Sequence, residues 1–593
     1  MSKKLVGFFG FWRGLYFCFS LFLLLVSIKC DAQGEGNRLR QRPQDERRSL
    51  PEQPLLPPHP ESLDLPELPT VPTDESLASK LIIQVKRIEL IGNKRFSKQQ
   101  LAEVIDAYEG RNVTARELQE LRKKLTLFYV QHGYINSGAI IPDQHVTDGV
   151  IRLKIVEGQL SGIKISGNDG LNESYLRKRL RLGSEDILDF NALGERVQLL
   201  HQNRLIDRIN ASLVPGLRAG EGILRVQVKE RRPYELGVSF NNWRSPSVGS
   251  LQGEIYGAHY NVSGNGDRFS ARYARTGGMN NGSATYSFPL TAHDTRVSFF
   301  YDRSDADVIE EQFKPLDITS ETEGYGIRLS HPFYHTPQAT AEASLSFERR
   351  RSESQSHGEP FPAGVGTDNG RSKVTVLRFT QEWVNRSASQ VIAARSTFSI
   401  GLDALDATIN DGSGNEVPDG RFFAWMGQFQ WVTRLWGTDN QLVLRSYLQL
   451  AADPLLPLEK FGLGGASTVR GYRENTFVRD NAWVNSVEFR IPVFRLPIPG
   501  ISRGENDGIL QVATFYDFGW AENNRFTDPN LVNVQQPSVV RTLSSVGLGL
   551  RWDPHEKIHS EVYWGYALRN IDEGGEYDLQ DSGVHFLVNL QVF

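Results

Sequence analysis

Cysteine is nearly absent: among 593 residues only Cys18 and Cys30 occur, both within the first 30. A disulfide framework, a thiol nucleophile and a Cys-ligated metal are thereby excluded for the rest of the chain. Charge of one sign is missing too. The 66 basic and 70 acidic side chains nearly cancel, net −4, so the basic field that nucleic-acid binding needs is not there and no nucleic-acid partner is expected. A composition 39% hydrophobic and 23% charged excludes a polytopic helical membrane protein and a wholly disordered chain. Enzyme chemistry finds no footing either. The 12 histidines show no His-x-x-x-His pairing with a glutamate on a helix, as a helical zinc site would require. Gly462-Leu463-Gly464-Gly465 is not a Walker loop and no helix follows it, and Ser467 has no base assignable from sequence. We expect no catalytic residue, no metal and no cofactor.

What is present starts with Lys3, Lys4 and Arg13 ahead of an apolar core, Leu15 to Val26, too short for an ordinary membrane span. Cys30 and Ala32 then supply small residues at −3 and −1, predicting a signal peptide over 1–32 and an exported chain without cysteine. Residues 33–79 open with an arginine-rich segment. Pro51, Pro54, Pro57, Pro58, Pro60, Pro66, Pro69 and Pro72 follow, a density that predicts a semi-rigid linker.

Residues 80–231 hold an internal repeat, 80–158 and 159–231. Val85 to Ile91 leads into Gly92-Asn93, and Gly162 to Ser166 leads into Gly167-Asn168. Each copy then predicts two helices, Ser97 to Tyr108 with Ala115 to His132, and Glu173 to Leu180 with Ala192 to Gln202. Ser97 and Thr114 are placed as N-caps. Leu118, Leu121, Leu125 and Phe128 form one apolar face. Each copy closes on two strands, giving β-α-α-β-β twice, an α+β arrangement. The run Arg177, Lys178, Arg179 and Arg181 reads as a solvated helix face.

From residue 232 onward apolar and polar positions alternate in segments of about ten residues. Phe269, Ala271 and Tyr273 oppose Arg268, Ser270 and Arg272; Val487, Phe489 and Ile491 oppose Glu488 and Arg490. Charged residues on one face and aromatics on the other predict an all-β transmembrane barrel. At roughly 22 residues per strand and loop, residues 232–593 hold about 16 antiparallel strands. The last strand runs through Val584, Phe586, Val588, Leu590 and Val592, with the terminal Phe593 out of phase.

Two motifs stand out in this half: Gly464-Gly465-Ala466-Ser467-Thr468-Val469-Arg470-Gly471-Tyr472-Arg473, and Phe515-Tyr516-Asp517-Phe518-Gly519 on a strand that puts Phe515, Asp517 and Gly519 toward the lumen. With the spacing Tyr134, Pro142-Asp143-Gln144, Gly149 and Glu157-Gly158, the chain resembles the TpsB transporters of two-partner secretion, the haemolysin-activator and filamentous-haemagglutinin exporters. The resemblance spans almost the whole exported chain. It implies a plug and linker, two POTRA domains in the periplasm and an outer-membrane barrel. It also implies a conformational lock, in which Val469, Arg470, Gly471 and Tyr472 lie at the tip of a long loop folded into the barrel and Arg470 meets Asp517. The implied client is a secreted TpsA-type exoprotein, bound unfolded at the POTRA surface within 80–231 and threaded through the barrel; its activation is left open. Outer-membrane lipids and, during biogenesis, the barrel assembly machinery complete the implied partners. Two other readings stay open: an assembly factor of the BamA kind and an outer-membrane uptake receptor.

Overall fold

The computed structural model describes residues 82–184, 187–361, 364–410, 417–524, 541–571 and 576–593. The expected signal peptide, plug and linker lie outside the described residues.

The first α/β unit comprises β1 (Ile82–Val85), β2 (Arg87–Ile91), α1 (Lys98–Ile105), β3 (Arg111–Thr114), α2 (Ala115–Gln131), β4 (Gly138–Ile140) and β5 (Val150–Val156). Its sheet runs β2-β5-β4, with β2 parallel to β5 and β4 antiparallel. The second unit repeats this with β6 (Gln159–Ser166), α3 (Glu173–Arg181), α4 (Phe190–His201), β7 (Ile206–Pro215) and β8 (Glu221–Glu230) in the order β6-β8-β7. The small β1–β3 ribbon in the first copy has no counterpart in the expected pattern.

Local chemistry explains the repeat. Both Gly92 and Gly167 have positive φ, 93° and 80°. A Cβ would lie 2.6 Å from the Ile155 carbonyl oxygen in one and 2.1 Å from the Val228 carbonyl oxygen in the other, so only glycine lets the opening strand pass the closing one. The neighbouring Asn93 and Asn168 donate to the carbonyls of Phe96 and Leu171 at 3.2 and 2.9 Å. Glu157 and Glu230, which end the closing strands, accept backbone N–H bonds from Arg95 at 2.7 Å and Leu171 at 2.8 Å. Ser97 and Thr114 cap α1 and α2 in full capping boxes with Gln100 and Glu117. Accepting those bonds, with Arg111 beside it, holds the Glu117 carboxyl down at about 2.

The barrel wall is built from β9 (Tyr234–Asn241), β10 (Gln252–His259), β11 (Arg268–Arg275), β12 (Met279–Pro289), β13 (Arg296–Asp307), β14 (Ile318–His335) and β15 (Ala339–Ser356). After the two-residue β16 (Glu359–Pro360) come β17 (Arg371–Arg386), β18 (Gln390–Leu402), β19 (Phe423–Arg434) and β20 (Gln441–Ala451). The loop that follows carries a short ribbon, β21 (Phe461–Leu463) with β22 (Phe477–Arg479). The wall then resumes with β23 (Asn481–Arg495), β24 (Ile509–Glu522), β25 (Thr542–His555), β26 (Ile558–Ala567) and β27 (Val584–Gln591). Antiparallel pairing of β27 with β9 closes a ring of 16 wall strands, as the alternation predicts.

The burial pattern is that of a barrel in lipid. Phe269, Tyr273, Phe299, Tyr301 and Val487 face outward and exposed, whereas Glu348, Arg350, Glu488, Arg490 and Asp517 are buried inside. Apolar surface outside and charge inside is stable only where the outer medium is apolar. Among the described residues no helix is long and apolar enough to cross a membrane. Phe593 lies beyond the end of β27, where its ring meets Tyr234 edge-on at 5.8 Å.

The run Arg177 to Arg181 departs from its reading as a solvated face. Arg179 is buried, stacks on Tyr175 at 3.7 Å and donates to Asp294 at 2.6 Å. Asp294 sits in the turn between β12 and β13. The Asn172 side chain reaches the Ser263 carbonyl, and Gln202 the Pro337 carbonyl, at 3.3 and 3.2 Å. The second α/β unit is thus docked on three barrel turns, a contact that no local sequence pattern announces.

Candidate functional site

The loop of residues 452–480, between β20 and β23, turns into the lumen and is held there by side chains from four directions. Val469 is fully buried in an apolar cluster with Leu463, Tyr472, Phe477, Leu543 and residues of β20, β23 and β24. Next in sequence, Arg470 points at the wall. Its Nε donates to Asp517 Oδ2 at 2.8 Å and its Nη2 to Asp517 Oδ1 at 2.9 Å. This is the parallel fork expected of a guanidinium on a carboxylate. The Arg470 backbone N–H adds a third bond to Asp517 Oδ2 at 3.1 Å.

Three further wall residues complete the shell, and sequence reasoning did not assign them. Glu488 Oε2 accepts from Arg470 Nη1 at 2.5 Å, and Ser486 Oγ accepts from Nη2 at 3.1 Å while donating to Asp517 at 2.6 Å. Tyr563 donates its hydroxyl to Glu488 at 2.9 Å and offers its ring to the guanidinium at 4.7 Å. Phe515 takes the other ring position, 3.6 Å from the guanidinium carbon. Alternation alone puts Glu488, Ser486 and Tyr563 on inward positions; that they converge follows from the pairing of β23 with β24 and the path of the loop.

Burial decides what this arrangement is worth. Arg470 is 4% exposed, Asp517 0% and Glu488 1%. An ion pair in water contributes under about 1 kcal/mol, but removing one partner of a pair this dry costs roughly 3–5 kcal/mol. Two carboxylates face Arg470; Arg490 Nε meets the second at 2.6 Å and Arg445 stands 4.0 Å from it, so three arginines surround two carboxylates.

The other expected residues fall around the same contact. Gly471, φ 92°, passes so close to β26 that a Cβ would lie 2.7 Å from the Gly565 carbonyl oxygen. Its N–H donates to His585 Nε2 at 3.3 Å. Tyr472 donates its hydroxyl toward the carbonyls of Ser544 and Arg569, at 2.9 and 3.0 Å. Gly519 on β24 leaves the space that Leu463 and Val469 fill; a Cβ there would lie 2.5 and 2.8 Å from their methyl carbons. Val469, Arg470, Gly471, Tyr472, Phe515, Asp517 and Gly519 therefore meet in one place. Arg473 extends the tip's anchorage, forking onto Asp581 and reaching Glu310 in two other loops.

The hydroxyls that meet carboxylates here, Ser486 on Asp517 and Tyr563 on Glu488, are buried, and both carboxylates are engaged by Arg470. Among the described residues no group of three or more His, Cys, Asp or Glu is placed to hold a metal. What the geometry gives is a loop folded into the barrel and fastened to its wall by buried ionic and apolar contacts.

Comparison with known proteins gives a family and a fold. Residues 220–551 match the family described as haemolysin secretion/activation protein ShlB/FhaC/HecB, and residues 83–158 match the POTRA domain of ShlB type. The chain is 24% identical over 404 residues to the outer membrane transporter CdiB of Dickeya dadantii, covering 66% of this chain and 69% of that protein. It is 20% identical over 475 residues to the heme/hemopexin transporter protein HuxB of Haemophilus influenzae, covering 77% and 78%. The structure of CdiB from Escherichia coli shares the fold, with a TM-score of 0.66 at 19% identity over 88% of this chain and 93% of that one.

Proposed function

The chain belongs to the haemolysin secretion/activation family ShlB/FhaC/HecB, and from that premise, an outer-membrane transporter of two-partner secretion, we propose how it handles its client. An unfolded exoprotein, haemolysin- or adhesin-like, is received in the periplasm by the two POTRA-type units. It adds as an extended segment to an open sheet edge within 80–231. Both sheets end in strands paired on one side only, β2 and β4 in the first and β6 and β7 in the second, which supports that mode. The client then enters the lumen and folds outside, so that its folding draws the chain outward without nucleotide.

In this reading Val469, Arg470, Gly471 and Tyr472, with Phe515, Asp517 and Gly519, form a conformational lock. The single observation that carries it is the saturation of Arg470. Its guanidinium bonds two buried carboxylates and lies against two rings on a loop that fills the lumen. A pore obstructed by its own loop conducts a polypeptide only after that loop shifts.

Quantitative mass spectrometry of medium and outer membrane, with and without the gene and after complementation by Arg470→Ala, tests the proposal. Loss of one large protein from the medium, with other barrels unchanged, is the expected result. Depletion of many outer-membrane barrels would instead make the chain an assembly factor. Unchanged pools would favour an uptake receptor.

A further inference from the structure

The loop 452–480 is fastened at its tip, by Arg470 on the wall and Arg473 on Asp581 and Glu310, and separately at its base. Its rising limb packs Leu455, Leu456 and Leu458 against Val374 and Val376 of β17 and against Phe422 and Ala424. Immediately after them comes Glu459, 4% exposed. Arg378 of β17 donates through Nη2 to both oxygens of that carboxylate, at 2.9 and 3.1 Å. The same guanidinium donates to Ser399 on β18 at 2.7 Å and to Glu348 on β15 at 2.9 Å. Arg350 stands 3.9 Å from Glu459 on the same wall.

Ring order sets the mechanics. Between Arg378 on β17 and Asp517 on β24 lie β18, β19, β20 and β23, and the loop is rooted between β20 and β23. Glu459 and Arg470 therefore pull to opposite sides of the root. The base is also tied to itself: the Gln449 amide donates to the carbonyls of Glu459 and Asp480 at 3.1 and 2.9 Å, and β21 pairs with β22. Between this base and the tip stand Gly464 and Gly465, with φ of 108° and 100°, a conformation other residues reach only with strain. The tip beyond them has no ribbon of its own.

We infer that Glu459 is a positioning residue that keeps residues 455–463 on the wall, so that release of Arg470 swings the tip, residues 464–474, about Gly464–Gly465 without expelling the whole loop. The inference rests on the reading of Arg470 as the point of release, and its test separates the two. Removing a buried carboxylate that faces two arginines takes away one of the charges that balance them in a dry site. The base is therefore fixed by an ion pair and an apolar contact together.

The test is single-channel conductance of the full chain in planar lipid bilayers, with heat-dependent electrophoretic mobility confirming that each variant has folded. Arg470→Ala should conduct more than wild type, because the tip loses its hold on the β23–β24 wall while Arg473 still reaches Asp581 and Glu310. Glu459→Gln alone should stay near the wild-type level, because the tip remains locked. The double variant should exceed Arg470→Ala by about twofold or more, a non-additive effect expected of coupled contacts. Glu459→Asp in the Arg470→Ala background should fall back to the Arg470→Ala level. A double variant equal to Arg470→Ala overturns the inference, and so does Glu459→Gln opening as widely as Arg470→Ala. If Arg470→Ala itself conducts like wild type, it is the lock that fails.

Discussion

Gly471 and Gly565 meet backbone to backbone: a Cβ on Gly471 would lie 2.7 Å from the Gly565 carbonyl oxygen, and one on Gly565 would lie 2.7 Å from the Gly471 nitrogen. Neither side has a flexible side chain that could give way. Gly565→Ala should therefore lift the loop tip and break the fork between Arg470 and Asp517 without touching either residue. We expect export and conductance to resemble those of Arg470→Ala. Gly253→Ala, in the same barrel but with nothing near its added carbon, should behave as wild type. Equal behaviour of the two alanine variants would contradict the close contact.

The Arg470 cluster makes a stability prediction. Arg470→Ala leaves Asp517 without its guanidinium, while Glu488 keeps Arg490 and Arg445, and should lower unfolding stability by roughly 3–5 kcal/mol. Arg470→Lys keeps the charge but loses the fork, so it should rescue stability only in part. Arg470→Ala with Asp517→Ala should be less unstable than Arg470→Ala alone. Urea unfolding of the barrel in detergent, followed by tryptophan fluorescence, measures all three. A loss below about 0.5 kcal/mol for Arg470→Ala would place the pair among wet surface bridges.

Arg179 and Asp294 tie the second POTRA-type unit to the barrel. Arg179→Ala should speed hydrogen exchange in α3 and in the turn 290–295, while exchange in α2 stays as it was. The exchange Arg179→Asp with Asp294→Arg should restore protection. Uniform exchange rates across these variants would mean that the docking does not depend on this pair.

Thr114 and Glu117 cap α2. Thr114→Ala should cost about 0.5–2 kcal/mol of stability in the first unit. Glu117 titrates near 2 when folded, below its ordinary value of 4.5. A carboxyl depressed in this way stabilises the fold above the unfolded value, and that contribution fades as pH falls from about 4.5 toward 2. Melting of the wild type should therefore drop across that window, and Glu117→Gln should flatten the drop. A Gln variant with an unchanged acid profile would contradict the assignment.

The repeat was legible because its markers are local. Gly92-Asn93 and Gly167-Asn168 each solve the same crossing of two strands, so the same pair recurs. The lumen face of β24 was legible because alternation is a property of one strand. What could not be read is what depends on register and on the return of a loop. Arg470 and Glu488 are 18 residues apart and Arg378 and Glu459 are 81 apart, and no spacing rule joins either pair. Arg179 misled for a related reason: a charge run looks the same whether it faces water or a turn 115 residues away.

The central claim, that the loop tip must leave the wall for export, is tested most directly by tying it there. Gly519 would place a Cβ 2.8 Å from Val469 Cγ2, within the reach of a disulfide, and the only native cysteines are Cys18 and Cys30. In Val469→Cys with Gly519→Cys, release of the exported protein should stop under oxidising conditions and resume on addition of reductant, while export by either single variant should not differ between the two conditions. Export that continues through a fully formed cross-link would contradict the account.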